Sequence, residues 1–153
     1  VLLDNVRSLY NVGAFFRTTD AAGIQMLCLA GLTASPPHRG LTKTALGAER
    51  MVRWERSEDP VATLAALQAR GYQVAAIETS PDSIDLFDWA PRFPVCVVFG
   101  HEVDGVRPAL LARCEAHVRI PMLGHKRSLN VATAGGVVLY ELLRKYRVSL
   151  TEA

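Results

Sequence analysis

Five short stretches of the chain are almost unbroken in apolar residues: Val1–Asp4, Met26–Ala30, Gln73–Ile77, Val95–Phe99 and Ala116–Ile120. Each is bounded by Gly, Pro, Asp or Ser. Continuous apolarity over so few positions predicts strands covered on both faces, since a sheet wetted on one side would alternate. Helical patterns lie between them, over Asn11–Ala22, Pro60–Arg70 and Pro108–Arg113, and a long final helix is expected from about Ser128 to Arg147. Gly23 and Gly71 stand where helix ends use glycine to reach a positive φ. Pro60 and Pro108 stand where a first helical residue can lack its N–H. This alternation predicts an α/β fold, a mostly parallel sheet with helices on both faces. Gly31–Glu49 (GLTASPPHRGLTKTALGAE) shows no clear pattern, and a loop of that length is usually functional or mobile. No internal repeat, low-complexity tract or linker appears, so residues 1–153 read as a single domain.

Composition sharpens this reading. The chain has 153 residues, 50% of them hydrophobic, which excludes a disordered chain. Its apolar stretches fall well short of the roughly 18–20 residues of a membrane span. No basic start followed by an apolar run marks a secretory signal. Cys28, Cys96 and Cys114 are odd in number, widely spaced and without a C-x-x-C pair or a zinc-like His spacing. They read as buried thiols of a reducing cytoplasm, and no metal is expected. The net charge of +2 argues at first against a nucleic-acid binder. Its distribution argues otherwise. Residues 1–55 sum to +2, residues 56–99 to −3 and residues 100–153 to +3. If the fold joins the two ends, a basic face can form despite the small total.

Three polar clusters carry candidate chemistry. The first, Asn5-Val-Arg-Ser-Leu-Tyr-Asn11-Val-Gly13-Ala-Phe-Phe-Arg17-Thr18, follows the first strand and opens the first helix. That is the carboxyl end of a strand, where open α/β sheets bind ligands. Asn5 and Asn11 can cap or make turns, and Gly13 permits a close approach. On its residues alone the cluster reads equally as a capped helix with one solvated arginine. The second, Gly100-His-Glu102-Val-Asp-Gly105, follows what should be a central strand. It is neither a dinucleotide fingerprint nor a P-loop, and a plain glycine-rich turn explains it as well as a site does. The third runs from Ile120-Pro-Met122 through Leu-Gly-His-Lys126-Arg127 to Ser128-Leu129-Asn130-Val-Ala-Thr-Ala-Gly135-Gly136. Ser128 can N-cap the final helix beside Lys126 and Arg127, which would make an anion site. Adjacent glycines inside a helix cost about 1 kcal/mol each relative to alanine and make sense where another helix or chain packs closely. No G-x-S-x-G elbow or Cys/His nucleophile pair is present.

Taken together, the three clusters resemble the SpoU/TrmH family of RNA ribose methyltransferases in the SPOUT superfamily. The first motif resembles Asn11-Val-Gly-Ala-Phe-Phe-Arg17-Thr, the second Gly100-x-Glu102-x-x-Gly105, and the third Ile120-Pro-Met with Ser128-Leu-Asn130-Val-Ala. They occur in order over nearly the whole chain, and Lys43–Glu49 resembles a further segment of many relatives. The resemblance implies S-adenosylmethionine as cofactor, a ribose 2′-hydroxyl of tRNA or rRNA as methyl acceptor, a homodimer, and a C-terminal trefoil knot. Periodicity does not predict a knot, which runs against the usual topology rules. Carried over motif by motif, the polar residues of the active site are Asn11, Arg17, Glu102, Ser128 and Asn130. Those at the cofactor are Thr79 (outside the three motifs), Gly100, Ile120, Met122, Ser128 and Leu129. The chain starts at the first motif, so RNA recognition is expected from the domain itself. Arg17, Arg39, Lys43, Lys126 and Arg127 are the candidates. Arg144-Lys145-Arg147 is either a further RNA contact or a solvated helix end complementing the macrodipole.

The residue types suit that chemistry. In-line transfer of a sulfonium methyl to a weakly acidic hydroxyl requires positioning of both groups and stabilisation of the emerging alkoxide. Arginine is normally protonated, so Arg17 is expected to bind phosphate and stabilise the oxyanion, with proton removal shared with Ser128 or water. Glu102 and Asn130 are expected to hold loops and ribose. Two other readings compete: a catalytically silent RNA-binding or cofactor-sensing module on the same scaffold, and a flavodoxin-like nucleotide domain. The latter is disfavoured by the missing phosphate loop.

Overall fold

A computed structural model describes residues 1–151. Seven strands form one sheet: β1 (Leu2–Asp4), β2 (Leu27–Ala30), β3 (Trp54–Ser57), β4 (Gln73–Ile77), β5 (Ile84–Asp85), β6 (Val95–Phe99) and β7 (Ala116–Arg119). Their order is β3-β2-β1-β6-β4-β7-β5, and every pairing is parallel. Five helices surround it: α1 (Leu9–Ala21), α2 (Arg39–Ala45), α3 (Pro60–Ala69), α4 (Pro108–Leu111) and α5 (Val131–Thr151). No helix among the described residues is long and apolar enough to cross a membrane.

Alternate residues of β1, β2, β4 and β6 feed two cores. Leu3, Leu27, Leu29, Val97 and Phe99 pack against Phe15 and Phe16 of α1, Leu41 of α2 and Leu139 of α5. Leu2, Cys28, Val74, Cys96 and Val98 pack against Leu64 and Leu67 of α3 and Leu110 of α4. The central strands therefore read as unbroken apolar runs: both faces are dry. The basic N-terminal segment supplies α1 and α2 and the basic C-terminal segment supplies α5, so the fold does join the two ends, on one face of the sheet.

The sequence reading missed two strands and one helix. β3 is an edge strand whose central Glu55 and Arg56 face solvent, so it has no apolar run. β5 is only two residues long. The patternless Gly31–Glu49 stretch contains α2, capped by the His38 side chain, and a short 3₁₀ turn at Ala48–Arg50. Both helix starts are corrected. Ser8, not Asn11, caps α1, its hydroxyl accepting the Asn11 N–H at 3.3 Å. α5 begins at Val131, because Asn130 Oδ1 accepts the N–H groups of Ala132 (2.9 Å) and Thr133 (3.2 Å). Ser128 is therefore two residues before the cap and three before the helix, and caps nothing. The glycine stops hold, with Gly23 at φ +65° and Gly71 at φ +87°.

The close approaches inferred for two glycines are made by helices. A Cβ on Gly13 would lie 2.1 Å from Thr44 Oγ1 of α2, and one on Gly135 would lie 2.4 Å from the Phe15 ring. Gly136, by contrast, has nothing within 4 Å of that position. α5 also runs past Arg147, and Lys145 is tied inward to the carbonyls of Phe87 (3.0 Å) and Trp89 and to Glu141 at 3.5 Å. Arg144 holds Glu141 through two 2.8 Å bonds. Lys145 is thus committed to packing, and the cluster does not lie at a helix end.

Candidate active site at the carboxyl edge of the sheet

Because all strands run the same way, the loops that follow β1, β6, β4 and β7 leave one edge of the sheet side by side. Asp4, the last residue of β1, is fully buried and accepts both Arg107 Nε and Nη2 at 2.6 Å. That bidentate pair raises the Arg107 pKa further and fixes the start of α4 beside β1. Asn5 then turns the chain at φ +58°, a conformation asparagine tolerates. Its Oδ1 accepts the Leu32 N–H at 2.9 Å.

The three polar clusters meet here through hydrogen bonds. Glu102 Oε1 accepts the Ser8 N–H at 2.9 Å and Asn11 Nδ2 at 3.2 Å, and its Oε2 accepts the Arg7 N–H at 3.2 Å. Asn11 Oδ1 accepts Asn130 Nδ2 at 3.1 Å. A chain Glu102–Asn11–Asn130 thus runs from the loop after β6, through the first turn of α1, to the cap of α5. Partial burial would push the Glu102 carboxyl up. The N–H groups of Ser8, Glu102 itself and Arg7, with the Asn11 amide, more than offset it and hold the pKa below the ordinary range. Glu102 is therefore an ionised acceptor that fastens loops.

The turn carrying Glu102 is closed on itself. His101 and Gly105 exchange two backbone hydrogen bonds of 3.0 Å. Inside the turn, His101 Nδ1 accepts the Val103 and Asp104 N–H groups at 3.1 Å. A Cβ on Gly100 would lie 2.3 Å from the Gly105 carbonyl, so the space left by this glycine is filled by the folded-back loop.

Arg17 is not part of the network. Six residues along α1 from Asn11, it lies about 9 Å further up the helix axis and on another face. Its exposed side chain lines a crevice of about 780 Å³ with Thr18, Leu46, Met51 and Tyr140. Ser128 and Leu129 lie in the exposed 123–130 segment with Lys126 and Arg127. Arg39 and Lys43 are exposed on α2.

The residues expected at a cofactor follow three neighbouring strands. Gly100 follows β6, Thr79 follows β4 by two residues, and Ile120 and Met122 follow β7. At roughly 4.8 Å per strand, the three loop starts span about 10 Å, the width of a nucleoside. Leu123 (99% exposed) and Leu129 (40%) are exposed apolar side chains of the segment that follows β7.

Two residues were missed. Asp4 ends an apolar strand, and Glu78 directly follows another; a carboxylate at a strand's carboxyl end is the signal that could have found both. The cysteines are free, and burial raises all three thiols, Cys28 and Cys114 to about 12, so none is a nucleophile at neutral pH. Among the described residues no group of three or more His, Cys, Asp and Glu gathers as a metal site.

Comparison with known proteins identifies relatives of the chain. The tRNA (guanosine(18)-2'-O)-methyltransferase of Aquifex aeolicus is 33% identical over 147 residues, covering 95% of this chain and 68% of its own length. The 23S rRNA (guanosine-2'-O-)-methyltransferase RlmB of Pseudomonas aeruginosa is 34% identical, covering 94% and 57%. Among solved structures, the SpoU methyltransferase AviRb from Streptomyces viridochromogenes, in complex with the cofactor AdoMet, superposes with a TM-score of 0.86. It is 29% identical and covers 97% of this chain and 57% of its own. The chain spans about three fifths of the length of the curated relatives it matches, 58% for several. Residues 1–140 match the SpoU rRNA Methylase family, and the chain belongs to that family.

Proposed function

We propose that the protein is an S-adenosylmethionine-dependent methyltransferase acting on a ribose 2′-hydroxyl of tRNA or rRNA. The Glu102–Asn11–Asn130 chain of hydrogen bonds carries this reading, because it ties all three motif segments together beside the loops suited to an adenosine. The chemistry supplied by bound S-adenosylmethionine is an activated sulfonium methyl. Thr79, Gly100, Ile120, Met122, Ser128 and Leu129 hold the nucleoside portion, largely through backbone groups. Glu102, Asn11 and Asn130 keep the loops in register. Arg17 binds the substrate phosphate and stabilises the emerging oxyanion, and Ser128 or water shares removal of the hydroxyl proton. Arg39, Lys43, Lys126 and Arg127 contact the RNA backbone. The family also implies a C-terminal trefoil knot, and the cytoplasm is the compartment that free, buried thiols suit.

The active unit is a homodimer in this reading. Arg17 is remote from Glu102 within one chain, and a second copy can bring it to a partner's cofactor loops. A face for that copy is available on α5, where Gly136 is open, Val137 is 36% exposed and Tyr140 is 51% exposed. Of these, Tyr140 also lines the Arg17 crevice, as a completing partner requires.

Mapping 2′-O-methylated nucleotides in RNA from cells with and without the protein tests the proposal. The reading requires at least one tRNA or rRNA position to lose its methyl group. Identical maps would overturn it.

A further inference from the structure

Glu78 sits at a junction of three strands. It is the first residue past β4, whose neighbours are β6 and β7. Its backbone N–H donates to the Val118 carbonyl of β7 at 3.0 Å. Its side chain reaches the opposite way: Oε2 accepts the Val106 N–H at 2.9 Å and Oε1 accepts the Thr79 N–H at 3.1 Å. The loop after β6 is shaped to receive it. Gly105 has φ +72°, and a Cβ there would lie 2.3 Å from Glu78 Oε2. A glycine is thus required twice over, for its conformation and for its space.

The closed 101–105 turn is therefore held at both ends by carboxylates. Glu102 at its tip fastens to Ser8 and Asn11, and Glu78 grips its base through Val106. Gly100 is packed against Gly105 and Val106, so its position follows that of the base. One side chain thereby fixes Gly100 relative to Thr79, while its own backbone fixes both relative to the strand that leads to Ile120.

We propose that Glu78 is a positioning residue for the cofactor, setting the spacing of the loops after β4 and β6 through the Thr79 and Val106 N–H groups. The inference rests on the methyltransferase reading above and adds to it a residue outside the three motifs.

Glu78→Ala removes both acceptors, whereas Glu78→Gln keeps the shape with only one acceptor oxygen. S-adenosylmethionine binding is measured by calorimetry, and backbone amide exchange by NMR. In Glu78→Ala, cofactor affinity falls about tenfold or more, the loss expected for hydrogen bonds to a charged acceptor. Methyl transfer at saturating cofactor stays within about threefold. Exchange at Val106 and Thr79 rises at least about tenfold, while amides of β1 and β2 are unchanged. Glu78→Gln falls between wild type and Glu78→Ala, and serves if the alanine variant does not fold. Unchanged cofactor affinity in a folded variant, or unchanged Val106 exchange, overturns the inference. A wild-type chain that binds no S-adenosylmethionine overturns instead the reading on which it rests.

Discussion

Glu102 accepts two backbone N–H groups and a side-chain amide from the first motif while standing at the tip of a turn from the second. Its folded pKa lies below the ordinary glutamate value of about 4.3, so the folded chain releases that proton more readily than the unfolded one. The resulting stabilisation is present above the ordinary value and disappears as pH falls through the depressed one. Glu102→Gln should therefore unfold at lower urea than wild type at pH 7, with the difference shrinking as the pH falls below the ordinary glutamate value and through the depressed one. A difference that stays constant over that range would contradict an ionised clamp. The Asp4–Arg107 pair makes an asymmetric prediction. Arg107→Ala strands a fully buried carboxylate and should destabilise by about 3 kcal/mol. Asp4→Ala leaves a half-exposed guanidinium that water can solvate (48% of that side chain is accessible), and should cost less. Urea midpoints of the two variants decide it, and the reverse order would refute the argument.

At the scale of elements, legibility followed burial. β1, β2, β4 and β6 were readable because both faces of each are dry and local pattern suffices, and β7 because buried Ala116 and Val118 alternate with half-buried His117 and Arg119. β3 was hidden by its solvent-facing Glu55 and Arg56, and β5 by its length. α2 was hidden by a Pro-Pro-His-Arg-Gly start whose cap is a histidine. Between Ser128 and Asn130, both good capping residues, the sequence offers no decision. The choice falls to tertiary contact, since Asn130 also reaches Asn11. The polar motifs were visible as clusters at strand ends, but their joining depends on contacts 91 and 119 residues apart in sequence. The paired glycines of α5 separate two causes that look identical in sequence. Gly135→Ala meets the Phe15 ring and should destabilise by about 1–3 kcal/mol despite its better helix propensity. Gly136→Ala meets nothing in the single chain and should stabilise it by about 1 kcal/mol. If a second copy covers that face, the same substitution weakens self-association in sedimentation experiments. Equal effects of the two substitutions on chain stability would contradict the packing described.

For the whole molecule, a net charge of +2 understated what the fold does with charge. The two basic end segments supply α1, α2 and α5 to one face, while the acidic middle supplies α3 to the other, beside the short α4. The same topology gathers the loops after β1, β6, β4 and β7 at one edge and leaves Arg17 away from them. The proposed second chain would bridge that separation. The central claim, methyl transfer to a ribose, is tested most directly with labelled S-adenosylmethionine, unmodified tRNA and rRNA, and nucleoside analysis of the product. The account predicts label in 2′-O-methylnucleosides, and a loss of at least about a hundredfold in Arg17→Ala, the scale expected when a transition-state charge contact is removed. Label confined to the bases, or no transfer to any RNA by a chain that binds the cofactor, would contradict it.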